Sequence, residues 1–390
     1  MKFKILVSPD KYKGSLSAHE VCDIIRKNIL EIDNNLEVII NPVADGGEGT
    51  VSALVESQKG KYVNLEVTGP LGGTVKARFG IIGDYTAVIE MASASGLVLV
   101  PQKKRNPMET TTYGTGELIR KALDMGCRKI IIGVGGSATN DGGLGMAQAL
   151  GYKFYDRKGR KLGWGGKELI NLYSIDMSDI HPRISSCEFE VAGDVMNLLT
   201  GKNGAAYVYA PQKGADSVMV RELDKGLENF AEVIKKELGS DVKRVKGSGA
   251  AGGLSAGMIA FLGAKIKNGI DVIIEATELE DKVKDADLVI TGEGALDMQT
   301  FFGKGVYGVA KLAKKYNKPI ITINGSVLIN RNKINKSYRD LTDGNFSIIN
   351  RPMNLEEAVK EAEELLGRET KELITFYLST VKNTYKKVAM

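Results

Sequence analysis

Short apolar runs alternate with amphipathic segments near the start of the chain. Residues 3–7 and 37–40 are apolar runs of the kind found in strands buried in a parallel sheet. Between them, Ser17 and Glu20 have the spacing of a capping box, and the apolar positions that follow repeat at helical spacing. A strand, an amphipathic helix and another strand together predict an α/β fold.

The middle of the chain follows a different pattern. Strands predicted at residues 63–68, 75–82 and 86–91 are separated by short turns that contain glycine, which favours an antiparallel or mixed meander. A hairpin is predicted at residues 152–162 and a long amphipathic helix at residues 217–238. Alternating strands and helices then return in the last third of the chain.

The two ends of the chain thus share one pattern and enclose the other. A length of 390 residues is enough for two domains. We predict a Rossmann-like or flavodoxin-like parallel-sheet domain built from both chain ends, residues 1–66 and 284–390. We predict that residues 67–283 form an inserted α/β domain around a mixed sheet, and we expect a cleft between the two domains.

Composition and charge exclude several classes of protein. The net charge of +5 is small and the basic clusters are short, so we expect no nucleic-acid partner. The first apolar run is broken by Ser8-Pro9-Asp10 and no run is long enough to span a membrane, so we expect a cytoplasmic protein without a membrane partner. Three separated cysteines and two histidines leave little material for a disulfide framework, a histidine–metal centre or a Ser-His-Asp mechanism.

Glycine is abundant, with 46 residues, and the richest stretch runs from Gly133 to Gly145. It follows a β-branched run and precedes a predicted helix, a layout in which backbone N–H groups and the helix N-terminus can hold a phosphate. Ser137, Thr139 and Asn140 can donate hydrogen bonds to phosphate oxygens, and Asp141 can hold Mg²⁺ or cap the helix. A tight connection with an ordinary aspartate cap is the alternative.

A second glycine-rich stretch at residues 247–257 also opens a predicted helix. It is either another anion site or a run of small residues that lets helices pack closely. Polar loops also follow the first two predicted strands, and ligands bind beyond the carboxyl ends of strands in open α/β sheets. The charged side chains of these loops that we expect to face one crevice are Asp10, Lys13, Asp45 and Glu48.

Several of these stretches occur in the same order in one known family. The matching stretches are Pro9–Ser17, Pro42–Gly49, Val134–Gly143, Asp194–Asn197, Pro211–Gly214, Gly249–Gly253 and Thr291–Gly294 with Asp297, Gln299, Gly303 and Lys304. In these motifs the chain resembles the class I (bacterial-type) glycerate kinases. The resemblance implies phosphorylation of D-glycerate by ATP with Mg²⁺, usually to 2-phosphoglycerate, and a two-domain α/β architecture with an inserted domain.

The chain departs from the family pattern at four positions. Lys11 and Tyr12 stand where the family commonly has Ser and Phe, and Leu198 and Val306 stand where it commonly has Pro. Lys11 adds positive charge beside the expected site, whereas Tyr12 is expected to pack in the interior. None of these changes removes a carboxylate or a lysine from the motifs.

The polar residues of the motifs divide into cationic and acidic candidates. Phosphoryl transfer requires positioning and charge neutralisation, and the matching motifs contain no arginine, so Lys13, Lys213 and Lys304 are the candidates for contact with the substrate carboxylate or phosphate. Asp45 and Asp194 are the first candidates for Mg²⁺, which prefers one or two carboxylates with phosphate oxygens and waters. Turn or cap roles remain the alternative for each carboxylate.

A general base must be a carboxylate or a neutral lysine, since the chain has only two histidines. The catalytic candidates are Asp10, Lys13, Asp45, Asp194 and Asp297, of which Asp10 and Asp297 are the candidates for the base. The candidates for binding substrate or nucleotide are Ser15, Gly46, Gly47, Glu48, Ser93, Gly135, Gly136, Ser137, Thr139, Asn140, Asp141, Asn197, Lys213, Gly252, Gly253, Glu293 and Lys304.

Other functions stay open on the sequence alone. The same fold can phosphorylate another small hydroxy acid, such as tartronate or a longer aldonate. An oxidoreductase requires a G-x-G-x-x-G fingerprint that opens a βαβ unit, and the loop from Ser8 to Ser17 has one glycine, which disfavours that function. A non-catalytic nucleotide-binding regulator would have the same polar loops, and the sequence is compatible with a homodimer without determining the oligomeric state.

Overall fold

A computed structural model gives the structure of the chain. It describes residues 2–44, 49–298, 300, 305–329 and 340–388, with side chains up to residue 380. No helix in these ranges combines the length and the apolar character needed to cross a membrane.

Strands and helices occur along the whole described chain. The strands are β1 (Lys4–Val7), β2 (Glu37–Ile40), β3 (Lys61–Thr68), β4 (Thr74–Ile82), β5 (Thr86–Glu90), β6 (Lys129–Gly133), β7 (Lys153–Tyr155), β8 (Ser174–Asp176), β9 (Glu188–Ala192), β10 (Lys265–Lys267), β11 (Leu288–Thr291), β12 (Ala295–Leu296), β13 (Ile320–Asn324), β14 (Ser326–Val327) and β15 (Gly344–Ser347). The helices are α1 (Ala18–Ile32), α2 (Thr50–Ser57), α3 (Ala92–Ser95), α4 (Tyr113–Asp124), α5 (Leu144–Ala149), α6 (Ala205–Tyr209), α7 (Ser217–Leu238), α8 (Ala250–Leu262), α9 (Gly269–Ala276), α10 (Leu279–Asp285), α11 (Gly305–Lys315), α12 (Leu355–Lys360) and α13 (Ala362–Val388).

The chain divides into two compact units. One contains residues 1–45 and 270–390 and is called the terminal unit below, and the other contains residues 46–269 and is called the inserted unit. The domain limits expected from the sequence, near residues 66 and 284, fall inside β3 and α10. We propose that the two units are the two domains of the protein.

The terminal unit contains a five-stranded parallel sheet in the order β15-β13-β11-β1-β2. When only the strands of this sheet are counted, their order is 2-1-3-4-5, which is the order of flavodoxin-like doubly wound folds. The order reverses between β1 and β11, and ligands bind at this switch point in such folds. The predicted α/β class with a flavodoxin-like parallel sheet is confirmed.

Both faces of this sheet are buried. Ile5 and Val7 of β1 lie in a core with residues of α1 and α13, while Leu6 between them points to the opposite face and is also 0% exposed. The predicted capping box opens α1, because the Glu20 backbone N–H donates to Ser17 Oγ at 3.2 Å and the Ser17 N–H donates to the Glu20 carboxylate at 2.8 Å. A sheet whose central strands β1 and β11 are largely buried therefore supports the loops at its carboxyl edge.

The inserted unit contains a six-stranded mixed sheet in the order β10-β9-β6-β5-β4-β3. The pairs β3–β4 and β4–β5 are antiparallel, and the remaining pairs are parallel. The mixed sheet predicted for the middle of the chain is thus confirmed. The glycine-rich loop leaves the carboxyl end of β6, and a second polar loop leaves the carboxyl end of β9.

Two predictions of single elements had different outcomes in this unit. Helix α7 has the predicted bounds, and its N-cap residue Asp216 accepts hydrogen bonds from the first turn. The hairpin predicted at residues 152–162 is only partly correct, since the backbone turns back between Phe154 and Leu162 but β7 pairs in its sheet with β8, a strand that was not predicted. The regular strand partner of Tyr155 is Ser174, which lies further along the sequence than the predicted hairpin.

Candidate active site

The carboxyl ends of β1 and β11 are joined by hydrogen bonds in the terminal unit. The Ser8 N–H donates to the Ile290 carbonyl at 2.7 Å, and the Asp10 N–H donates to the Gly292 carbonyl at 2.8 Å. The Thr291 hydroxyl donates back to the Ser8 carbonyl at 2.7 Å. The two polar loops that follow these strands are therefore held side by side at the switch point of the sheet.

Asp10 and Lys13 lie in the first of these loops. The Asp10 side chain is half-buried, and its Oδ1 accepts the Lys11 N–H at 2.7 Å. Lys13 is exposed, and its backbone N lies 3.0 Å from the place that a Cβ on Gly294 would take. A Cβ at this distance would be tighter than most real Cβ contacts, so glycine favours the close approach of the two loops.

The second loop contributes two acidic residues that both contact the Thr300 hydroxyl, Glu293 through its carboxylate and Asp297 through its backbone N–H. Glu293 is buried, and its carboxylate accepts the Thr300 hydroxyl at 2.5 Å, while the Asp297 N–H donates to the same hydroxyl oxygen at 3.2 Å. The Glu293 N–H donates to Oδ1 of Asn324, a fully buried residue at the end of β13. Asn324 is not among the site residues predicted from the sequence, although its place directly after a predicted strand is the signal that points to it.

Tyr12 and Ser15 have structural contacts in the same region. The Tyr12 ring is 3% exposed, and its hydroxyl donates to the Ile323 carbonyl at 2.7 Å. Burial raises the pKa of this phenol, so it stays protonated. The Ser15 N–H donates to the Tyr12 carbonyl at 2.8 Å, which places the predicted binding residue Ser15 in a tight turn. Tyr12 therefore packs in the interior, as expected.

In the inserted unit, Asp141 organises the glycine-rich loop that follows β6. Its carboxylate is fully buried and accepts the N–H and the hydroxyl of Thr112, both at 2.8 Å, and the N–H groups of Gly143 at 3.2 Å and Gly145 at 3.4 Å. Burial raises the pKa of Asp141, and these hydrogen bonds oppose the change. The structure thus places Asp141 in the capping role, the second of the two roles expected for it.

The same loop is held at Ala138 by hydrogen bonds to two other parts of the inserted unit. The Ala138 N–H donates to the Ser95 carbonyl at 2.9 Å, and the Thr110 hydroxyl donates to the Ala138 carbonyl at 2.8 Å. Gly135 is half-buried and Gly136 is exposed, with a φ of 71° at Gly136. Gly135 and Gly136 therefore form the accessible part of the loop.

Lys213 reaches the glycine-rich loop from a distant part of the sequence. Its side chain is 2% exposed, and Nζ donates to Ser137 Oγ and to the Thr139 carbonyl, both at 2.7 Å. Burial lowers the pKa of Lys213 to about 7, and the negative charge of Asp141 opposes that change. A lysine buried in this way holds the loop and has little surface left for a substrate.

Two side chains of the loop lie in the interior without a hydrogen-bonding partner among the described residues. They are the Asn140 amide, through both Nδ2 and Oδ1, and the Thr139 hydroxyl, and both residues are 0% exposed. Buried polar groups are costly unless they are paired, and a buried water or a ligand group that reaches them can supply the pairing. Both residues were predicted as binding residues.

The second glycine-rich loop packs directly on the first. A Cβ on Gly252 would lie 2.1 Å from the Thr139 carbonyl oxygen, and Gly252 has a left-handed φ of 68°. Gly253 also has a positive φ, 87°, and the Gly142 N–H donates to the Gly252 carbonyl at 3.1 Å. Of the two roles expected for this stretch, the structure supports close packing.

The loop after β9 carries the predicted residues Asp194 and Asn197. Asp194 Oδ1 accepts the N–H of Gly269 at 2.9 Å. The Asn197 amide donates to the Asn203 carbonyl at 2.7 Å and accepts the Tyr209 hydroxyl at 2.7 Å. Both predicted residues therefore have contacts that shape their loop.

The remaining predicted site residues either have only local contacts or lie outside the described part of the chain. The Ser93 hydroxyl donates to the Glu90 carbonyl at 2.9 Å, so Ser93 stabilises the start of a short helix. The predicted residues that lie outside the described part of the chain are Asp45, Gly46, Gly47, Glu48 and Lys304.

The described residues contain no group of three or more His, Cys, Asp or Glu side chains that could hold a metal ion. A nucleotide-bound Mg²⁺ needs only one or two protein carboxylates, because phosphate oxygens and waters complete its coordination. The half-buried Asp194, at the carboxyl end of β9, fits that smaller requirement.

Comparisons with known proteins agree with these observations. A model of the glycerate kinase family matches residues 5–378. Glycerate 2-kinase of Escherichia coli (strain K12) is 49% identical over 371 residues, which cover 95% of this chain and 97% of that protein. Glycerate kinase of Bacillus subtilis (strain 168) is 48% identical over 371 residues, which cover 95% of this chain and 96% of that protein.

The structure is also similar to a solved one. A crystal structure of a protein provisionally named glycerate kinase 2, from Salmonella typhimurium LT2, superposes with a TM-score of 0.90 and 47% sequence identity, covering 98% of this chain and 100% of that chain. Family membership excludes the oxidoreductase that the glycine-rich loops left open. The chain therefore belongs to the glycerate kinase family and is a phosphotransferase with an alcohol group as acceptor.

Proposed function

We propose that the chain transfers the terminal phosphoryl group of ATP to a hydroxyl group of D-glycerate, with Mg²⁺ bound to the nucleotide. The hydroxyl oxygen forms a bond to the γ-phosphorus, the bond from that phosphorus to the β-phosphate oxygen breaks, and ADP leaves. The name of the Escherichia coli relative, glycerate 2-kinase, favours the hydroxyl at carbon 2 and 2-phosphoglycerate as the product.

The observation that carries the proposed site is the switch point of the terminal unit. Asp10 and Lys13 after β1 and Glu293 and Asp297 after β11 lie on two loops that hydrogen bonds hold together. Carboxylates and an exposed lysine are the groups that a transferred phosphoryl group and an acid substrate require. Flavodoxin-like sheets bind their ligands at this edge.

Each polar residue has a proposed role. Asp10 is the first candidate for the base that takes the proton of the attacking hydroxyl, and Asp297 is the second. Lys13 neutralises the substrate carboxylate or the phosphate. Asp45 and Asp194 are each a candidate to hold Mg²⁺, which would neutralise charge on the phosphate oxygens when it is bound. The accessible turn of the glycine-rich loop provides N–H groups for a phosphate oxygen.

The test is ADP release from Mg-ATP with D-glycerate, with L-glycerate and without acceptor, with the product position read by ³¹P NMR. Release that depends on D-glycerate, with the phosphate at carbon 2, is the expected result. Release with tartronate or a longer aldonate but not with D-glycerate would assign the protein to another hydroxy acid. ATP binding without release for any acid would indicate a non-catalytic nucleotide-binding regulator.

The predicted role of Asp45 is tested in the same assay. We expect Asp45→Asn to lower turnover at least about tenfold while the fold is unchanged, because it removes one negative charge from the metal site. Asp84→Asn removes the same charge from an exposed turn and is the matched control. Unchanged turnover of Asp45→Asn at saturating Mg-ATP would remove Asp45 from the site.

A further inference from the structure

The backbone turn that carries Lys213 is tightly packed. The short turn Pro211–Lys213 is followed by Gly214, which has a φ of 99°, and a Cβ on Gly214 would lie 2.3 Å from the Arg105 carbonyl oxygen. The backbone that carries Lys213 is therefore fixed by close packing. The position of its Nζ atom follows from this backbone and from the burial of the side chain.

The two acceptors of Lys213 lie on either side of Ala138 in the glycine-rich loop. Ala138 is held from the other side by the Ser95 carbonyl and by the Thr110 hydroxyl. The Lys213 amine and these two groups together fix the backbone from Ser137 to Thr139. The accessible Gly135 and Gly136 precede this segment directly.

The chemistry of a protonated amine determines the direction of the hydrogen bond to Ser137. At pH values below the pKa of Lys213, about 7, its ammonium group can only donate, so Ser137 Oγ must accept from it and turn its own hydrogen elsewhere. Ser137 is 8% exposed, and within the described chain no acceptor for this hydrogen is found. The hydroxyl hydrogen is therefore available to an acceptor on a bound ligand.

A purely structural role would favour an apolar side chain at this position. Burial of an amine costs free energy, and replacement of a buried charge by an apolar residue of similar volume is often neutral or stabilising. Methionine has nearly the length of lysine without that cost. The presence of a buried lysine thus indicates a function for its hydrogen bonds.

We propose that Lys213 is a positioning residue that acts through Ser137: it fixes the glycine-rich loop and directs the Ser137 hydroxyl hydrogen toward an anionic oxygen of the substrate, without touching the substrate itself. The identity of that substrate rests on the function proposed above. This role differs from the direct substrate contact that the sequence predicts for Lys213.

The first test is a double-mutant cycle on kcat/KM with Lys213→Met, Ser137→Ala and the double variant. Each single change is expected to lower kcat/KM at least about tenfold, and the double variant is expected to lie within about threefold of Lys213→Met, because both changes remove the same interaction. A direct substrate contact by Lys213 would make the two losses multiply to about a hundredfold, which would overturn the proposal. Should Lys213→Met fail to fold, Lys213→Gln, which retains donor hydrogens without charge, replaces it in the cycle.

The second test requires no substrate. Amide hydrogen exchange at residues 135–139 is expected to be at least about tenfold faster in Lys213→Met than in the unchanged protein, because the loop loses one of its anchors. Lys282→Met removes a half-buried amine that donates to Asn41 Oδ1 in the terminal unit, and it should leave exchange at residues 135–139 unchanged. Unchanged exchange in Lys213→Met would overturn the proposal.

The two tests separate the two proposals. Absence of phosphoryl transfer in the unchanged protein would refute the proposed function, while the exchange experiment would still decide whether Lys213 holds the loop. Suppose that the unchanged protein transfers the phosphoryl group normally, that amide exchange at residues 135–139 is the same in Lys213→Met, and that the two losses in kcat/KM multiply. These results would refute only the role of Lys213.

Discussion

Over a wide range of pH, Lys213 is protonated in the unfolded chain but not in the folded chain. Its pKa is lowered from 10.5 to about 7 by burial in the folded protein. Between these two values the unfolded chain holds one more proton at this position than the folded chain. Stability increases with pH wherever the unfolded state binds more protons, so this residue makes the protein more stable as the pH rises from about 7 toward 10.5.

We expect this rise to be visible when the unchanged protein is compared with Lys213→Met. The difference in the free energy of unfolding between the two should change by up to about 1.4 kcal/mol per pH unit in favour of the unchanged protein. Urea unfolding between pH 7 and pH 10 measures it, since groups common to both proteins cancel. Lys225→Met, which removes an exposed amine from α7, is the matched control. A difference for Lys213→Met that changes with pH no more than the difference for this control would show that the Lys213 amine is not buried in solution.

The burial of Lys213 could not be predicted from the sequence. Its Pro-Gln-Lys-Gly context is typical of a surface turn, and its two acceptors lie 76 and 74 residues away in the chain. By contrast, the capping role of Asp141 was one of two roles expected from local pattern, because the N–H groups of Gly143 and Gly145 are close to it in sequence, whereas its two shorter hydrogen bonds, from Thr112, could not be expected. Side chains that act at long range in sequence are therefore the part of the site that requires the structure.

At the scale of elements, the two glycine-rich loops approach each other most closely at Gly252. Gly252 has a left-handed φ of 68°, and a Cβ there would meet the Thr139 carbonyl oxygen at 2.1 Å. Gly252→Ala thus adds backbone strain of about 1–2 kcal/mol and a steric overlap that forces the loops apart. We expect a total loss of at least about 3 kcal/mol in the free energy of unfolding.

Gly263→Ala is the matched control for this prediction. Gly263 has a similar φ of 64°, but a Cβ there has no atom within 4 Å, so only the backbone strain applies. Urea unfolding of both variants separates the overlap from the strain. Equal losses in the two variants would contradict the view that close packing at Gly252 holds the loops together.

Elements with a complete local signal could be predicted, including the short apolar strands β1 and β2, but short polar strands could not. The capping box of α1 and the long amphipathic pattern of α7 gave the positions of these helices. Strands β8, β10 and β15 have three or four residues, which is too short for an alternating pattern to identify a strand, so their neighbours in the sheet determine them. The order of the strands likewise depends on pairing between distant segments, and so the switch point at β1 and β11 appears only in the structure.

At the scale of the whole molecule, each unit has a sheet and a core of its own. All strands of the six-stranded sheet lie within residues 61–267, and the residues of the larger core cluster lie within the same unit. The parallel sheet of the terminal unit takes β1 and β2 from one end of the chain and β11, β13 and β15 from the other. An inserted unit of this length is in the usual size range of an independently folding domain.

We therefore expect a fragment of residues 46–269 to fold by itself, with a single cooperative urea transition and an ordered near-ultraviolet circular dichroism spectrum. A fragment of residues 270–390 lacks β1, which pairs with β11 in the middle of the sheet, and β2, which pairs with β1 at its edge, so it should stay unfolded. Joining residue 45 to residue 270 through a short glycine–serine linker restores these strands to the same chain, and this third protein should fold. Folding of the 270–390 fragment, or a collapsed 46–269 fragment without fixed side-chain packing, would contradict the assignment of the two units as domains. The linked protein is the decisive case, because it differs from the unfolded fragment only by the linker and by the 45 residues that contain β1, α1 and β2.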